Sequence, residues 1–163
     1  MDDENESLKK HLLRLQRITV PNAIYFVTTC CQKRSNILDN SEVVAILQEE
    51  WMSALKRHGW LIGRYVIMPD HVHFFCMAHP SGAKQNLSQF VGQWKQWTAK
   101  RFIRELSMEK PVWQAGFFDH VLRSQESYIQ KWAYVRENPV RAGLVEVCSD
   151  WPWQGRVDFD FPR

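Results

Sequence analysis

Two histidines separated by one residue, His71 and His73, have the residue type and spacing that most directly suggest chemistry in this chain. They lie in an otherwise apolar run, residues 66–77. If that run is a strand, both imidazoles project from the same face, because side chains i and i+2 of a strand share a face. Imidazole nitrogens are common ligands of divalent metals, so the pair predicts half of a metal site.

A later helix carries groups that could complete such a site. Residues 125–137 predict a helix that is stopped by Asn138 and Pro139. Tyr134 and Asn138 are four residues apart and therefore share a helical face. The Asn138 amide oxygen and the two imidazoles would give a metal three neutral ligands, which leave the charge of the cation available to polarise a phosphate oxygen. Tyr134 could then attack the phosphorus.

Each of these residues also has a structural alternative. Asn138 could cap the helix before the proline, and Tyr134 could be a core aromatic. Tyr128 is a rival nucleophile, but six residues turn a helix by about 600°, which leaves it about 120° from Tyr134. Asp70 is typical of a turn, although it could also hydrogen-bond a metal-binding histidine.

The elements that must position these residues follow from periodicity and turn residues. A helix is expected from a cap at Asn40 or Ser41 to Gly59, and Pro69-Asp70 is expected to turn a hairpin that ends in the histidine strand. The strands are predicted at residues 23–31, 60–68, 71–77 and 117–122, and the other helices at residues 85–106 and 125–137. A strand-like segment at residues 144–147 and a loop anchored by aromatic residues at 150–155 follow.

This order of elements indicates an α+β fold with an antiparallel sheet and helices packed on one of its faces, close to a ferredoxin-like or RRM-like layout. The length of 163 residues favours one domain. We expect residues 1–17 to form a flexible acidic tip and a basic arm, residues 18–155 to form the domain, and residues 156–163 to form a C-terminal tail.

Charge is unevenly distributed along the chain. The net charge is +3, but four acids and no base lie in residues 1–7, and the remaining residues carry 21 basic and 14 acidic side chains. A basic body favours a polyanionic partner.

The four cysteines predict no structural zinc site, because none has C-x-x-C spacing. Reduced, buried thiols in the cytoplasm are the expected state. The chain has no signal-peptide pattern and no apolar run long enough to span a membrane, which favours a cytoplasmic protein without a membrane partner. If the polyanionic partner is DNA, the protein would be nucleoid-associated.

Three segments together resemble a known family. Residues 68–74, MPDHVHF, resemble the His-hydrophobic-His motif of the HUH single-tyrosine transposases. Residues 134–145 and 112–120 resemble the C-terminal helix and the penultimate strand of the REP-associated tyrosine transposases. The resemblance runs from about residue 18 to residue 155, and the motifs are specific in combination.

The resemblance implies a fold, a reaction and a substrate. The fold would be that of the HUH nucleases, and the substrate would be single-stranded DNA that forms hairpins, such as repetitive palindromes. Tyr134 would cleave a phosphodiester, leave a 5′-phosphotyrosine and a free 3′-hydroxyl, and allow rejoining. His71, His73 and Asn138 would hold Mg²⁺ or Mn²⁺, and the protein would act as a monomer rather than a dimer.

Basic residues elsewhere suit this substrate. The segment 94–104 contains four bases and no acid, and its Trp94 and Trp97 could pack inward or stack on bases. Three arginines near the predicted site suit phosphate. The candidate DNA contacts are Lys95, Lys100, Arg101, Arg104, Arg123, Arg136 and Arg141.

Three other functions use some of the same features. A relaxase or rolling-circle nickase would use the same chemistry, but a helicase domain or paired tyrosines would favour it and the chain has neither. A non-mobile regulator that binds hairpin DNA would not need the nucleophile. A phosphoesterase without a covalent intermediate would continue to cleave when Tyr134 is replaced by Phe.

Overall fold

The computed structural model describes residues 23–160, and one antiparallel sheet organises this part of the chain. Its strands lie in the order β4-β1-β3-β2-β5. The strands are β1 (Ile24–Cys30), β2 (Trp60–Ile67), β3 (His71–Ala78), β4 (Phe118–Leu122) and β5 (Gln154–Arg156). The predicted tip and arm, residues 1–17, lie outside the described residues.

Helices connect these strands where the sequence predicts them. They are α1 (Ser41–Met52), α2 (Ala54–His58), α3 (Leu87–Leu106), α4 (Gln125–Arg136) and α5 (Asn138–Arg141). The side chain of Asn40 accepts a hydrogen bond from the backbone N–H of Val43 at 3.0 Å, which confirms the predicted cap. The helix expected to run to Gly59 is interrupted at Ser53 and ends at Gly59 with φ 75°. Helix α4 ends at Arg136, which confirms the predicted stop before Asn138-Pro139. A short new helix begins at Asn138, since proline is tolerated in a first helical turn.

The sheet is covered on both faces, and the expectation that helices lie on one face is wrong. Trp51 of α1 and Trp94 of α3 stack at 5.3 Å between ring centroids over one face. On the other face Tyr128 and Trp132 of α4 pack against Phe75. The fold class itself, α+β with an antiparallel sheet, is confirmed. No helix in the described part of the chain is long and apolar enough to cross a membrane.

The C-terminal part of the domain differs from the prediction. Residues 144–147 form bends and irregular backbone instead of a strand, and Leu144 and Val147 are exposed. The last strand is β5, which pairs with the outer edge of β2. Trp151 anchors the approach to β5 as expected, because its indole N–H donates to the Ile67 carbonyl at 3.0 Å. Beyond residue 155, Asp160 continues the packing through its ion pair with Arg64 of β2.

Candidate active site

The two histidines lie at the start of β3 with their rings converging. Alternate residues of β3, namely His71, His73 and Phe75, point to the sheet face that α4 covers. The Nε2 atoms of His71 and His73 are 3.1 Å apart. Two nitrogens that each lie about 2.1 Å from one metal ion are separated by roughly 3 Å, so this spacing fits a shared divalent ion.

The other nitrogen of each ring is engaged by a neighbouring side chain. His71 Nδ1 lies 2.6 Å from Asp70 Oδ1, and a carboxylate in this position accepts the Nδ1–H. His73 Nδ1 lies 2.8 Å from the hydroxyl of Thr28. Thr28 is the β1 residue that pairs with His73 in the sheet. These bonds orient both imidazoles and leave the two Nε2 atoms directed at one point, as metal-binding histidines require.

Burial keeps both imidazoles in the neutral, metal-binding form. It is the largest cause of a lowered pKa for His73, which falls to about 3, and nearby charge lowers that pKa further. The contributing charges are those of His71, Lys131, Arg34 and Arg141. Burial also lowers the pKa of His71, against the opposing effect of the Asp70 carboxylate. Since Lys131 lies on α4 and Arg141 on α5, both helices bring positive charge to the histidine side of the sheet.

Tyr134 and Asn138 lie at the junction of α4 and α5, where Arg141 holds them together. The Arg141 guanidinium lies 4.0 Å from the centroid of the Tyr134 ring, donates to the Tyr134 carbonyl at 2.7 Å, and donates to Asn138 Oδ1. Tyr134 is 62% exposed. Among residues 23–160, no hydrogen bond joins Tyr134 or Asn138 to either imidazole. The sequence-predicted nucleophile and third ligand are therefore adjacent to each other and near the charges that act on His73.

The metal ligands predicted from the sequence are of two types, imidazole and amide. Residues 23–160 contain no cluster of three His, Cys, Asp or Glu side chains that would suit a metal ion. The predicted third ligand is the Asn138 amide oxygen. The neutral imidazoles and this oxygen form a donor set that suits several divalent ions.

Tyr128, the rival nucleophile, is a core residue. Its side chain is fully buried, and its ring centroid lies 4.6 Å from that of Phe75. Burial raises its pKa to about 12. Tyr134 is therefore the tyrosine of α4 that can meet a substrate.

Arg34 is a site residue that sequence reasoning missed. Its Nε donates to Asp70 Oδ2 at 2.7 Å and one terminal nitrogen lies 3.0 Å from Cys30 Sγ, so the guanidinium lies next to the Asp70–His71 pair. Lys33 and Arg34 both have positive φ, 54° and 52°, which is uncommon for residues other than glycine. No composition or spacing signal marks this turn. Asp70 is predicted from the sequence as a possible partner of a metal-binding histidine, and it does contact His71. Thr28 was missed and could have been found from its pairing with His73 in the sheet.

The predicted DNA contacts divide between the two sheet faces. Lys95, Lys100, Arg101 and Arg104 lie on α3, which packs on the face opposite to the histidines. The Lys95 ammonium donates to the carbonyls of Gln114 and Gly116 at 2.6 and 2.5 Å, and burial lowers its pKa to about 8.

The other α3 cations also have protein partners. Arg101 forms ion pairs with Glu49, Glu50 and Glu105, Arg104 pairs with Glu105, and Lys100 lies over the Trp97 ring. Trp94 is buried, whereas Trp97 is 44% exposed. Arg123 and Arg136 are exposed next to β4 and at the end of α4 respectively, and Arg136 lies 3.7 Å from Glu137.

Known proteins are similar to this chain in sequence and in fold. A REP-associated tyrosine transposase from Escherichia coli (strain K12) is 26% identical over 129 residues, which cover 79% of this chain and 73% of that protein. A solved structure of a REP-associated tyrosine transposase bound to a REP hairpin superposes with a TM-score of 0.67 at 24% identity and covers 85% of this chain and 79% of that one.

The sequence model of the family described as "Transposase IS200 like" matches residues 19–138, which include both histidines, Tyr134 and Asn138. This span is most of the chain. The resemblance to the REP-associated tyrosine transposases is confirmed, and the chain belongs to the IS200-like transposase family.

Proposed function

We propose that this protein is a metal-dependent endonuclease and transposase that cleaves and rejoins hairpin-bearing single-stranded DNA through a 5′-phosphotyrosine on Tyr134. The observation that carries the proposal is the convergence of His71 Nε2 and His73 Nε2 at 3.1 Å on the sheet face that α4 covers. Membership of the IS200-like transposase family and similarity to a REP-associated transposase solved with a REP hairpin support the DNA substrate.

His71, His73 and Asn138 would hold the divalent ion, Mg²⁺ or Mn²⁺, with Asp70 and Thr28 orienting the imidazoles. A bound divalent ion would polarise a non-bridging phosphate oxygen and stabilise the charge that develops on it during transfer. For Asn138 to act as a ligand, its oxygen must share its lone pairs between the ion and the Arg141 guanidinium, or Arg141 must turn away.

Tyr134 supplies the nucleophile in this proposal. Its phenolic oxygen loses a proton and forms a bond to the scissile phosphorus, while the bond from phosphorus to the 3′-oxygen breaks. That oxygen takes a proton and becomes a free 3′-hydroxyl. Attack by a 3′-hydroxyl on the phosphotyrosine reverses the step, restores the phenol and joins two strands.

Positive charge around the site suits the phosphates of the substrate. Lys131 and Arg141 lie on α4 and α5 on the histidine side, and Arg34 lies beside Asp70. The active unit in this proposal is a monomer, with the ligands and the nucleophile supplied by the same chain.

Covalent capture on hairpin DNA tests the proposal. Wild-type protein is incubated with end-labelled hairpin oligonucleotides that carry unpaired flanks and with Mg²⁺ or Mn²⁺, and adducts are separated on a denaturing gel. We expect an adduct that requires the metal, is lost in Tyr134→Phe and His73→Ala, and persists in His79→Ala, a histidine at the far end of the same hairpin.

An adduct that survives Tyr134→Phe would contradict the assignment of the nucleophile. Metal-dependent cleavage by Tyr134→Phe without an adduct would indicate a phosphoesterase. Tight hairpin binding by wild-type protein without any cleavage would indicate a non-mobile regulator.

A further inference from the structure

We propose that Phe118, on the edge strand β4, is a stacking platform for an unpaired DNA base next to the scissile phosphate. This inference rests on the proposed function, because the platform would hold the single-stranded substrate beside the same site. Phe118 is 64% exposed, although its type favours burial.

Sheet register places Phe118 beside the histidine site. Thr28 of β1 pairs with Phe118 on one side and with His73 on the other. Directly paired residues in antiparallel strands share a face, so Phe118, Thr28 and His73 form one row on the face with the imidazoles. Strands lie about 4.8 Å apart, which puts the Cα atoms of Phe118 and His73 about 10 Å apart. A base attached to a nucleotide next to the reacting phosphate can reach across that distance.

A cation of α4 lies over the next row on the same face. His120, Phe26 and Phe75 form this row, and the Lys131 ammonium lies 4.7 Å from the centroid of the Phe26 ring. The Phe26 ring stacks on His73 at 5.2 Å. Phe26 itself is buried, but the exposed Phe118 is its diagonal neighbour in the β1–β4 register, one row away from the Lys131 ammonium. Exposed aromatic rings and nearby cations together bind single strands without sequence readout, because every base has a stacking face and every nucleotide has a phosphate.

The strand that carries Phe118 is open on one side. β4 is the last strand at its end of the sheet within residues 23–160, so its outer edge has no neighbouring strand there. Asp119, the acid of β4, projects to the opposite face from Phe118, because neighbouring residues of a strand alternate. The face that Phe118 shares with His73 therefore presents one exposed aromatic ring to a polyanion, with the Lys131 ammonium one row away.

Binding of a plain single strand tests the platform without any cleavage. The probes are a fluorescein-labelled oligothymidine dodecamer and an abasic strand with the same number of phosphates, both measured in EDTA. We expect Phe118→Ala to weaken oligothymidine binding at least about fivefold and to leave the abasic strand unchanged. Phe118→Trp should restore binding. Trp97→Ala, which removes an exposed ring on the opposite sheet face, should have no effect.

Photocrosslinking locates the base. A dodecamer with one 5-iodouracil is irradiated with wild-type protein, and the adducted peptide is expected to contain Phe118. Unchanged oligothymidine binding by Phe118→Ala, an equal loss for the abasic strand, or crosslinks confined to α3 would overturn the proposal. A concentration-dependent dimer that Phe118→Ala abolishes while DNA binding stays intact would assign the ring to self-association instead.

These measurements separate the platform from the chemistry. If oligothymidine binding depends on Phe118 but wild-type protein forms no phosphotyrosine adduct on hairpin DNA, the proposed function is wrong and the stacking platform is supported. If the adduct forms but Phe118→Ala leaves oligothymidine binding unchanged, only the stacking platform is wrong.

Discussion

The Asp70 carboxylate lies 2.6 Å from Nδ1 of the neighbouring His71, and its second oxygen accepts a hydrogen bond from Arg34. Burial favours the neutral acid, but the hydrogen bonds from His71 and Arg34 outweigh it and hold the pKa of Asp70 below its usual value. Asp70 is therefore ionised at neutral pH and fixes the proton of His71 on Nδ1. The lone pair of His71 Nε2 is left for a metal ion.

Removing this carboxylate should weaken metal binding more than it weakens the fold. We expect Asp70→Ala to lower Mn²⁺ affinity by about 10- to 100-fold, since partners that orient a metal-binding histidine have effects of that size. Titration calorimetry with Mn²⁺ measures the affinity, and Glu42→Ala, at an exposed acid on α1 over the opposite sheet face, is the control. Equal Mn²⁺ affinity of wild type and Asp70→Ala would show that His71 does not depend on this carboxylate.

The histidine pair should make the metal-free protein sensitive to acid. The pKa of His73 is about 3 in the folded chain and about 6.5 in an unfolded one, so between these values the unfolded chain binds one proton more. The free energy of unfolding therefore falls as the pH is lowered from about 6.5 to about 3, with a slope of up to about 1.4 kcal/mol per pH unit from this group. The lowered pKa of His71 acts with the same sign.

Urea unfolding in EDTA at a series of pH values measures this slope. His73→Gln cannot take up the proton and should flatten the dependence over that interval, while His79→Gln should leave it as in wild type. A His73→Gln profile parallel to wild type would assign the acid sensitivity to other groups.

Removing the Arg141 guanidinium should strengthen Mn²⁺ binding and slow adduct formation. Its positive charge opposes a cation near His73 and its guanidinium occupies Asn138 Oδ1, so we expect Arg141→Ala to raise Mn²⁺ affinity about two- to fivefold. The same change removes the group that holds the Tyr134 ring and carbonyl, so adduct formation should slow by about 10- to 100-fold.

Arg141→Lys separates charge from shape, because it keeps the cation but loses the planar group that stacks on Tyr134. It should leave Mn²⁺ affinity near that of wild type and still slow adduct formation. Adduct formation at the wild-type rate in both variants would exclude Arg141 from positioning Tyr134.

Some of this site could be predicted because its signals are local. The alternation in residues 71–77 puts both histidines on one face. The expectation that Tyr134 and Asn138 share one helix is wrong, since they lie in α4 and α5, but both contact Arg141. The face of the sheet that α4 covers could not be predicted. The buried apolar residues of α4, Tyr128, Trp132 and Val135, form a narrow stripe that would suit either face.

The missed features depend on contacts between distant parts of the chain. β5 has the sequence Gln-Gly-Arg, which has no strand preference of its own, and it forms because Trp151 and neighbouring residues hold it against β2. Arg34 reaches Asp70 through two consecutive residues with positive φ, a conformation that lysine and arginine do not favour and that their sequence does not signal. The cations of α3 have the composition of a DNA contact, but the fold places that helix on the other face.

Lys95 tests the difference between a basic residue that binds DNA and one that supports the fold. Its ammonium donates to the carbonyls of Gln114 and Gly116, which precede β4, so Lys95→Met leaves two carbonyl groups without this donor. We expect a loss of about 1 to 3 kcal/mol in the free energy of unfolding. Lys100→Met, at an exposed position on the same helix, should stay within about 0.5 kcal/mol of wild type.

Urea unfolding measures the stability of both variants, and the salt dependence of oligothymidine binding provides the second readout. Lys95 would instead be a phosphate contact if Lys95→Met had wild-type stability and bound oligothymidine with a smaller salt dependence. The slope of the logarithm of the binding constant against the logarithm of the salt concentration would then fall by about one in magnitude.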